Sequence, residues 1–163
     1  MFTTTDEIEN FIIFATLKNL LTCKDLIRRM AEIKVTYNGD FRTESTNGQS
    51  PIIIKTDNSM QSQQAGVNFS PVDMLLSSYG ACMLSMMGNV AMRRDIDMTG
   101  ATVNISYEME EMAIKTIWAC FHMKAVAADE KARKAMEGAA KQCPVGNSLR
   151  ADIVKHLSFI WDD

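Results

Sequence analysis

Residues 70–94 read SPVDMLLSSYGACMLSMMGNVAMRR, and this stretch decides the fold. Ser70 can cap a helix, Pro71 suits the first helical position, and Asp73 completes a capping-box spacing with Ser70. The two arginines at the other end favour a helix C-terminus. Between these ends almost every residue is apolar or small, which is typical of a helix packed on all sides, while the interspersed serines and glycines argue against a membrane span. We therefore predict a long buried helix at the centre of the fold.

The residues before this helix alternate between apolar and polar side chains, which predicts a small β-sheet. Two Asn-Gly pairs, Asn38-Gly39 and Asn47-Gly48, are typical of hairpin turns and separate the alternating segments. The polar residues 57–68 predict a loop, which is either a simple connection or a lid near a functional site. The strands are predicted at residues 33–37, 41–44 and 51–56.

The residues after the central helix predict two strands, a second helix and a last strand. Apolar residues alternate over 103–107 and over 117–125, and a turn is expected between them near residues 110–113. Asp129 can start a helix with a face of small residues suited to close packing, and a strand is expected over about residues 152–161. This order of elements predicts an α+β domain. The residues of the small face are Ala132, Ala135, Met136, Ala139 and Ala140.

The composition is that of an ordinary soluble protein. The 163 residues suffice for one domain with a sizeable core, and 47% are hydrophobic against 23% charged, with a net charge of −3. No basic cluster predicts nucleic-acid binding. The N-terminus is acidic and its apolar run contains Lys18 and Asn19, so we expect neither a signal peptide nor a membrane span. We therefore expect a cytoplasmic protein without structural disulfides.

Residues 1–29 look like an addition to the domain that follows. Thr4 and Glu7 make a capping-box spacing, and apolar residues recur at helical intervals, so one or two amphipathic helices are predicted. This N-terminal helical extension either packs on the domain, whose pattern occupies residues 30–163, or on its partner, or is an upstream segment without a function.

Four cysteines occur without a Cys-x-x-Cys spacing, and only two histidines could join them, so we expect no metal site and no cofactor. One cysteine lies about three turns into the central helix, where a small buried core thiol is the simplest interpretation. Another precedes Pro144, which favours an extended conformation and the end of a helix. The four are Cys23, Cys82, Cys120 and Cys143.

Two of these cysteines carry a family resemblance. A Pro that opens a central apolar helix, Gly80-Ala81-Cys82 in its middle, and a later Cys143-Pro144-Val145 followed by Asn147-Ser148-Leu149 resemble the OsmC/Ohr family. The resemblance implies antiparallel sheets wrapped around two central helices in an intertwined homodimer. It also implies the activity of the two-Cys members, which are thiol peroxidases that reduce organic hydroperoxides. By this match Cys82 is the peroxidatic residue and Cys143 the resolving one.

A peroxidatic thiol must be ionised, and an ordinary Cys with a pKa of about 8.5 is mostly protonated near neutral pH. The start of the central helix is about 16 Å from Cys82, too far for its dipole to help, so a cation must come from elsewhere. Arg42, where the family's Arg-bearing segment aligns, is the first candidate, although it could equally be a solvated strand residue. Arg93, Arg94 and Arg150 are alternatives. In the peroxidase branch a Glu follows the helix-opening Pro and holds this Arg, whereas Val72 stands here, which favours the broader OsmC-like branch.

Three functions therefore remain open. The first is a cytoplasmic thiol peroxidase, acting on organic hydroperoxides and recycled by a dithiol, since the apolar surroundings of Cys82 suit an alkyl chain. The second is a non-catalytic dimer that holds an apolar small molecule in a methionine-rich cavity, because the chain contains 13 Met. The third is acyl transfer by a Cys–His pair that uses His122 or His156. Cys120, opposite in facing to Phe121, is expected to be incidental.

Overall fold

The computed structural model describes residues 33–57, 67–124 and 128–162. These residues form two compact units, the first ending at Ser70 and the second beginning at Pro71. The predicted helical extension at residues 1–29 and most of the predicted polar loop lie outside the described residues. No helix of the part that the structure describes has the length and hydrophobicity to cross a membrane.

The first unit is a three-stranded antiparallel sheet in the order β1 (Ile33–Tyr37), β2 (Arg42–Asn47) and β3 (Ser50–Asp57). Both Asn-Gly turns lie where the sequence predicts them. The first turn is tight, with the Asn38 N–H donating to the Arg42 carbonyl at 2.9 Å, and Gly39 adopts a positive φ of 83°. Because a glycine has no Cβ, this left-handed conformation costs it little.

The second unit contains the long helix α1 (Pro71–Met92), then β4 (Thr102–Glu110), β5 (Ala113–Met123), α2 (Glu130–Lys141), the short α3 (Pro144–Ser148) and β6 (Val154–Trp161). β5 is the middle strand of the sheet, with β4 antiparallel and β6 parallel to it. The α+β class is confirmed, and the parallel pairing of β6 adds a mixed sheet to the antiparallel arrangement that was expected. The helix α3 was not predicted.

The core of the second unit lies between α1, α2 and one face of this sheet. α1 contributes a stripe of buried residues at helical spacing. β5 contributes alternate residues, those that point to the inner face of the sheet. Four methionines of the core are fully buried, so they fill the interior and do not line an open cavity. The buried residues include Leu76, Tyr79, Met83, Met87 and Ala91 on α1, Ile117, Ala119, Phe121 and Met123 on β5, and Met136 and Ala140 on α2.

The prediction that α1 is packed on all sides is wrong within this single chain. Its buried residues form one stripe, while Leu75 and Met92 on other sides are 41% and 71% exposed. A helix in contact with one sheet and one neighbouring helix buries only the stripe that faces them.

The ends of the two long helices follow from their sequence. α1 begins at Pro71 and ends two residues before Arg94, as its capping pattern predicts. The Asp129 side chain accepts a hydrogen bond from the Ala132 N–H at 2.7 Å and so caps α2.

Gly80 allows α1 to approach β4 closely. A Cβ at this position would lie 2.9 Å from Ile105 Cδ1 and 3.0 Å from Val103 Cγ1, which is inside van der Waals contact. We expect Gly80→Ala to lower the free energy of unfolding by about 1 kcal/mol or more, because this overpacking exceeds the gain in helix propensity. Urea unfolding followed by circular dichroism measures the change.

Gly138 on α2 provides the matched control, because a Cβ there would meet no atom within 4 Å. Gly138→Ala should raise the free energy of unfolding by about 0.5–1 kcal/mol. Equal changes in the two variants would contradict the close contact between α1 and β4.

Candidate active site

The structure brings Cys82 and Cys143 together in the second unit. Cys82 lies half-buried on α1, and Cys143, which is 1% exposed, directly precedes α3. Cys82 is near enough to Cys143 to raise the pKa of the Cys143 thiol. Both cysteines are free in this reduced state.

Cys143 is fixed by the sharp turn between α2 and α3. Gln142 caps the end of α2, and Cys143 has an extended ψ of 126°, as expected of a residue before Pro. The chain then enters α3, so that the Gly146 N–H donates to Cys143 Sγ at 3.4 Å. The side chain of Cys143 therefore acts as the N-cap of α3, which holds its sulfur in a single position.

Tyr79 joins this turn to α1. It lies one turn before Cys82, is 3% exposed, and its carbonyl oxygen is 4.0 Å from Cys143 Sγ. Its ring packs against the backbone of Gly146, where a Cβ would lie only 2.6 Å from Tyr79 Cε2. Gly146 is therefore required for the turn that carries Cys143 to lie against α1.

The environment of the two thiols keeps Cys143 protonated. Burial raises the pKa of the Cys143 thiol, the neighbouring Cys82 raises it further, and the Gly146 N–H lowers it in part. Burial also raises the pKa of Tyr79, and the neighbouring Cys143 and Cys82 add to this effect. The Cys143 thiol is therefore held in its protonated form at neutral pH.

Lys155 is a residue of the site that sequence analysis missed. It lies on β6 and donates from Nζ to the Gly146 carbonyl at 2.9 Å. A groove of about 460 Å³ opens beside it, lined by Tyr79, Lys141, Lys155, His156 and Leu157. The sequence contains one sign of this role, because Lys155 is a charged residue on the otherwise apolar face of β6.

Arg42, the first candidate for an activating cation, lies on β2 in the first unit. Its Nη2 is 3.2 Å from Asp40 Oδ2, and in the strand register it stands opposite Asp57, which is buried. Residues opposite each other in an antiparallel pair share one face of the sheet, so Arg42 lies on the same face as a buried carboxylate.

The alternative arginines have other contacts. Arg94 Nη1 donates to the Val90 carbonyl at 3.4 Å, and Arg150 forms an exposed ion pair with Asp152. Arg93 directly follows the end of α1 and is exposed.

The histidines lie on the face of the sheet that points away from the core. Cys120 Sγ is 3.8 Å from His122 Nε2, and the ring of His156 stacks on Trp118 with 5.8 Å between centroids. The thiol–imidazole contact thus involves Cys120, not Cys82, and it favours no acyl transfer at the Cys82 site. Among residues 33–57, 67–124 and 128–162, no group of three or more His, Cys, Asp or Glu side chains could hold a metal ion.

Comparison with known proteins identifies the family. The family model described as OsmC-like protein matches residues 62–157, more than half of the chain. The chain belongs to the OsmC-like family. The resemblance inferred from the two cysteine segments is thereby confirmed. No curated protein that was compared with the chain matches it.

Solved structures agree with this OsmC-like assignment. A protein of Psychrobacter arcticus, provisionally named an osmotic stress induced and detoxification response protein, is 31% identical, with a TM-score of 0.75 over 80% of this chain and 96% of its own. The OsmC like protein of Mycoplasma pneumoniae is 17% identical, with a TM-score of 0.70 over 83% and 99%. The organic hydroperoxide resistance protein OhrB of Bacillus subtilis is 17% identical, with a TM-score of 0.60 over 80% and 98%. The last two matches show a shared fold.

The raised pKa of Cys143 in this OsmC-like protein can be measured through its alkylation. A raised pKa means that, at a given pH, a smaller fraction of Cys143 is thiolate in the folded protein than in the unfolded chain, where a cysteine has a pKa of about 8.5. We expect the pH midpoint for iodoacetamide alkylation of Cys143, followed by peptide mass spectrometry, to be higher in the folded protein than in urea. A lower midpoint in the folded protein would show that the hydrogen bond from Gly146 outweighs burial.

Proposed function

We propose that this protein is a thiol peroxidase that reduces organic hydroperoxides, with Cys82 as the peroxidatic and Cys143 as the resolving residue. The observation that carries the proposal is the position of Cys143, whose Sγ lies 4.0 Å from the carbonyl oxygen of Tyr79, one turn before Cys82, and whose thiol has its pKa raised by Cys82. The roles follow from accessibility, because Cys82 is half-buried whereas Cys143 is 1% exposed. A peroxide that enters the site therefore reaches Cys82 first.

The proposed cycle has three steps. The Cys82 thiolate attacks one oxygen of the hydroperoxide, the O–O bond breaks, an alcohol leaves, and Cys82 becomes a sulfenic acid. The sulfur of Cys143 then attacks the Cys82 sulfur and loses its proton, so that a disulfide forms and water leaves. A dithiol reduces this disulfide by two exchange steps and is itself oxidised. No cofactor enters the cycle.

The surroundings of Cys82 favour an organic hydroperoxide over hydrogen peroxide. Cys82 and Met86 are partly buried and pack against the apolar core of the second unit. An alkyl group gains free energy by leaving water for such a surface, in proportion to the apolar area buried. Some proteins with this fold, such as OhrB of Bacillus subtilis and a protein of Elizabethkingia anophelis, are named organic hydroperoxide resistance proteins.

The functional form is proposed to be a homodimer. On the first unit Ile33, Tyr37 and Ile52 are 68%, 65% and 67% exposed, and a three-stranded sheet that leaves so much apolar surface in water is marginally stable. A second copy of the chain would cover this surface. Sedimentation equilibrium should give twice the chain mass of 18.2 kDa, and a monomer at assay concentration would contradict the dimer.

Within this proposal Arg42 supplies the positive charge that stabilises the Cys82 thiolate. The macrodipole of α1 fades within the first turn, so its N-terminus leaves Cys82 without help. An Arg is suited to this task because it is always charged and keeps several donors in a fixed plane. A cytoplasmic location is part of the same proposal, since cellular dithiols there would reduce the disulfide.

Substitution of each cysteine tests the cycle. With cumene hydroperoxide as substrate and dithiothreitol as reductant, Cys82→Ser should lower the rate of hydroperoxide loss by about a hundredfold or more, because the nucleophile is removed. Without dithiothreitol, Cys143→Ser should stop at a Cys82 sulfenic acid, which dimedone traps as an adduct of defined mass. Cys120→Ser is the matched control and should keep the wild-type rate. Undiminished turnover in Cys82→Ser would contradict the proposal.

The same assay tests Arg42. Arg42→Met should slow oxidation of Cys82 by about tenfold or more at pH 7, and the deficit should shrink as the pH rises and the thiol ionises without help. Arg150→Met is the control, because its guanidinium is paired with Asp152 at the surface. An equal deficit in both variants would show that Arg42 has no specific role.

A further inference from the structure

Lys155 occupies an unusual place for a charged residue. In β6 the half-buried residues alternate with exposed ones, and Leu157, Phe159 and Trp161 on the half-buried side pack against the core. Lys155 belongs to the same side of the strand. An ammonium group near an apolar surface must find a hydrogen-bond acceptor, because its desolvation is costly.

The acceptor that Lys155 finds belongs to the turn of the resolving cysteine. Lys155 Nζ donates to the Gly146 carbonyl at 2.9 Å, and the N–H of the same Gly146 donates to Cys143 Sγ at 3.4 Å. Gly146 also carries the backbone surface that packs against Tyr79. One residue of β6 is therefore linked through a single glycine to the sulfur of Cys143.

We propose that Lys155 is a positioning residue that holds the Cys143 turn so that its thiol remains against Cys82. The role of Lys155 in a catalytic cycle rests on the proposed function. Its effect on formation of the Cys82–Cys143 disulfide does not depend on which oxidant is used. Without Lys155 the Gly146 carbonyl loses its charged donor, while the packing of Tyr79 against Gly146 remains. The attack of Cys82 on a peroxide is independent of this anchor, whereas the attack of Cys143 on the oxidised Cys82 depends on it.

Lys141 provides a matched comparison. It lines the same groove as Lys155 and carries the same charge, but it lies at the end of α2 and is exposed. If positive charge in the groove is sufficient to promote the Cys82–Cys143 disulfide, removal of either lysine should have the same effect. If the hydrogen bond to the Gly146 carbonyl is required, only removal of Lys155 should affect Cys143.

The test is the equilibrium of the Cys82–Cys143 disulfide with glutathione. Cys82 attacks glutathione disulfide and releases one glutathione, and Cys143 then displaces the second, so that one disulfide is exchanged for another without any peroxide. Lys155→Met should lower the equilibrium constant for formation of the Cys82–Cys143 disulfide by about tenfold, because the loss of one hydrogen bond from a charged donor has an effect of this size. Lys155→Arg should restore most of it, because a guanidinium can donate to the same carbonyl, and Lys141→Met should remain near the wild-type value.

This readout separates positioning from mere stability. A loss of fold stability that is the same in the reduced and oxidised protein leaves the disulfide equilibrium unchanged, and urea unfolding of both forms measures it. A wild-type equilibrium constant in Lys155→Met, or an equal loss in Lys141→Met, would overturn the inference. A protein that forms the Lys155-dependent disulfide with glutathione but ignores hydroperoxides would retain the inference and refute the proposed peroxidase.

With hydroperoxide as oxidant the same variants separate the two chemical steps. Lys155→Met should form the Cys82 sulfenic acid at the wild-type rate but accumulate it, with more dimedone adduct and more sulfinic acid at excess peroxide. Slower formation of the sulfenic acid itself would assign Lys155 to the first step and contradict its role as a positioning residue for Cys143.

Discussion

The packing of the Tyr79 ring against the backbone of Gly146 is the contact on which the rest of the site depends. Tyr79 is fixed in the core by α1, and Gly146 belongs to the turn that carries Cys143. No residue with a Cβ fits at Gly146, since its Cβ would lie 2.6 Å from the ring. Two segments that are more than 60 residues apart in sequence are thereby held together, and Cys143 lies beside the turn of α1 that carries Cys82.

The two thiols differ in environment although they are neighbours. Cys143 is enclosed, and burial and the neighbouring Cys82 raise the pKa of its thiol, so it is a protonated thiol beside Cys82. Cys82 is the more exposed of the two. This asymmetry suits a sequence of two attacks, in which the accessible sulfur reacts with an external oxidant and the enclosed sulfur reacts only with its neighbour. Lys155 and the N–H of Gly146 belong to the enclosed side of the pair.

Much of the fold could be predicted because it is encoded locally. The bounds of α1 differ from the predicted stretch by one residue at the start and two at the end, since Pro and the capping pattern fix helix ends. Alternation located the strands of both sheets. It could not reveal that β6 runs parallel to β5, because a period of two defines which face a residue takes and not the direction of its partner. Nor could it reveal α3, whose five residues contain a Pro and a Gly and are too few for a helical period.

The site was predictable to a smaller extent. The choice of Cys82 and Cys143 came from family resemblance, since nothing in their spacing alone brings them together. The contact of Tyr79 with Gly146 and the anchor from Lys155 are tertiary, and only the misplaced charge in an apolar strand face hinted at the second. The exposed apolar side of α1 was not predictable for the same reason. An apolar sequence indicates that a surface is to be buried, but it does not indicate which element or chain covers it.

The reaction of Cys82 with Cys143 can be followed in a single turnover. The reduced protein is mixed with one equivalent of cumene hydroperoxide, with hydrogen peroxide in parallel, and is quenched with acid at intervals for intact-mass and peptide mass spectrometry. We expect a Cys82–Cys143 disulfide as the main product, formed faster with the organic hydroperoxide. Oxidation that stops at the sulfenic acid of Cys82 without this disulfide, or the absence of any reaction at Cys82, would show that the two cysteines do not act as a pair.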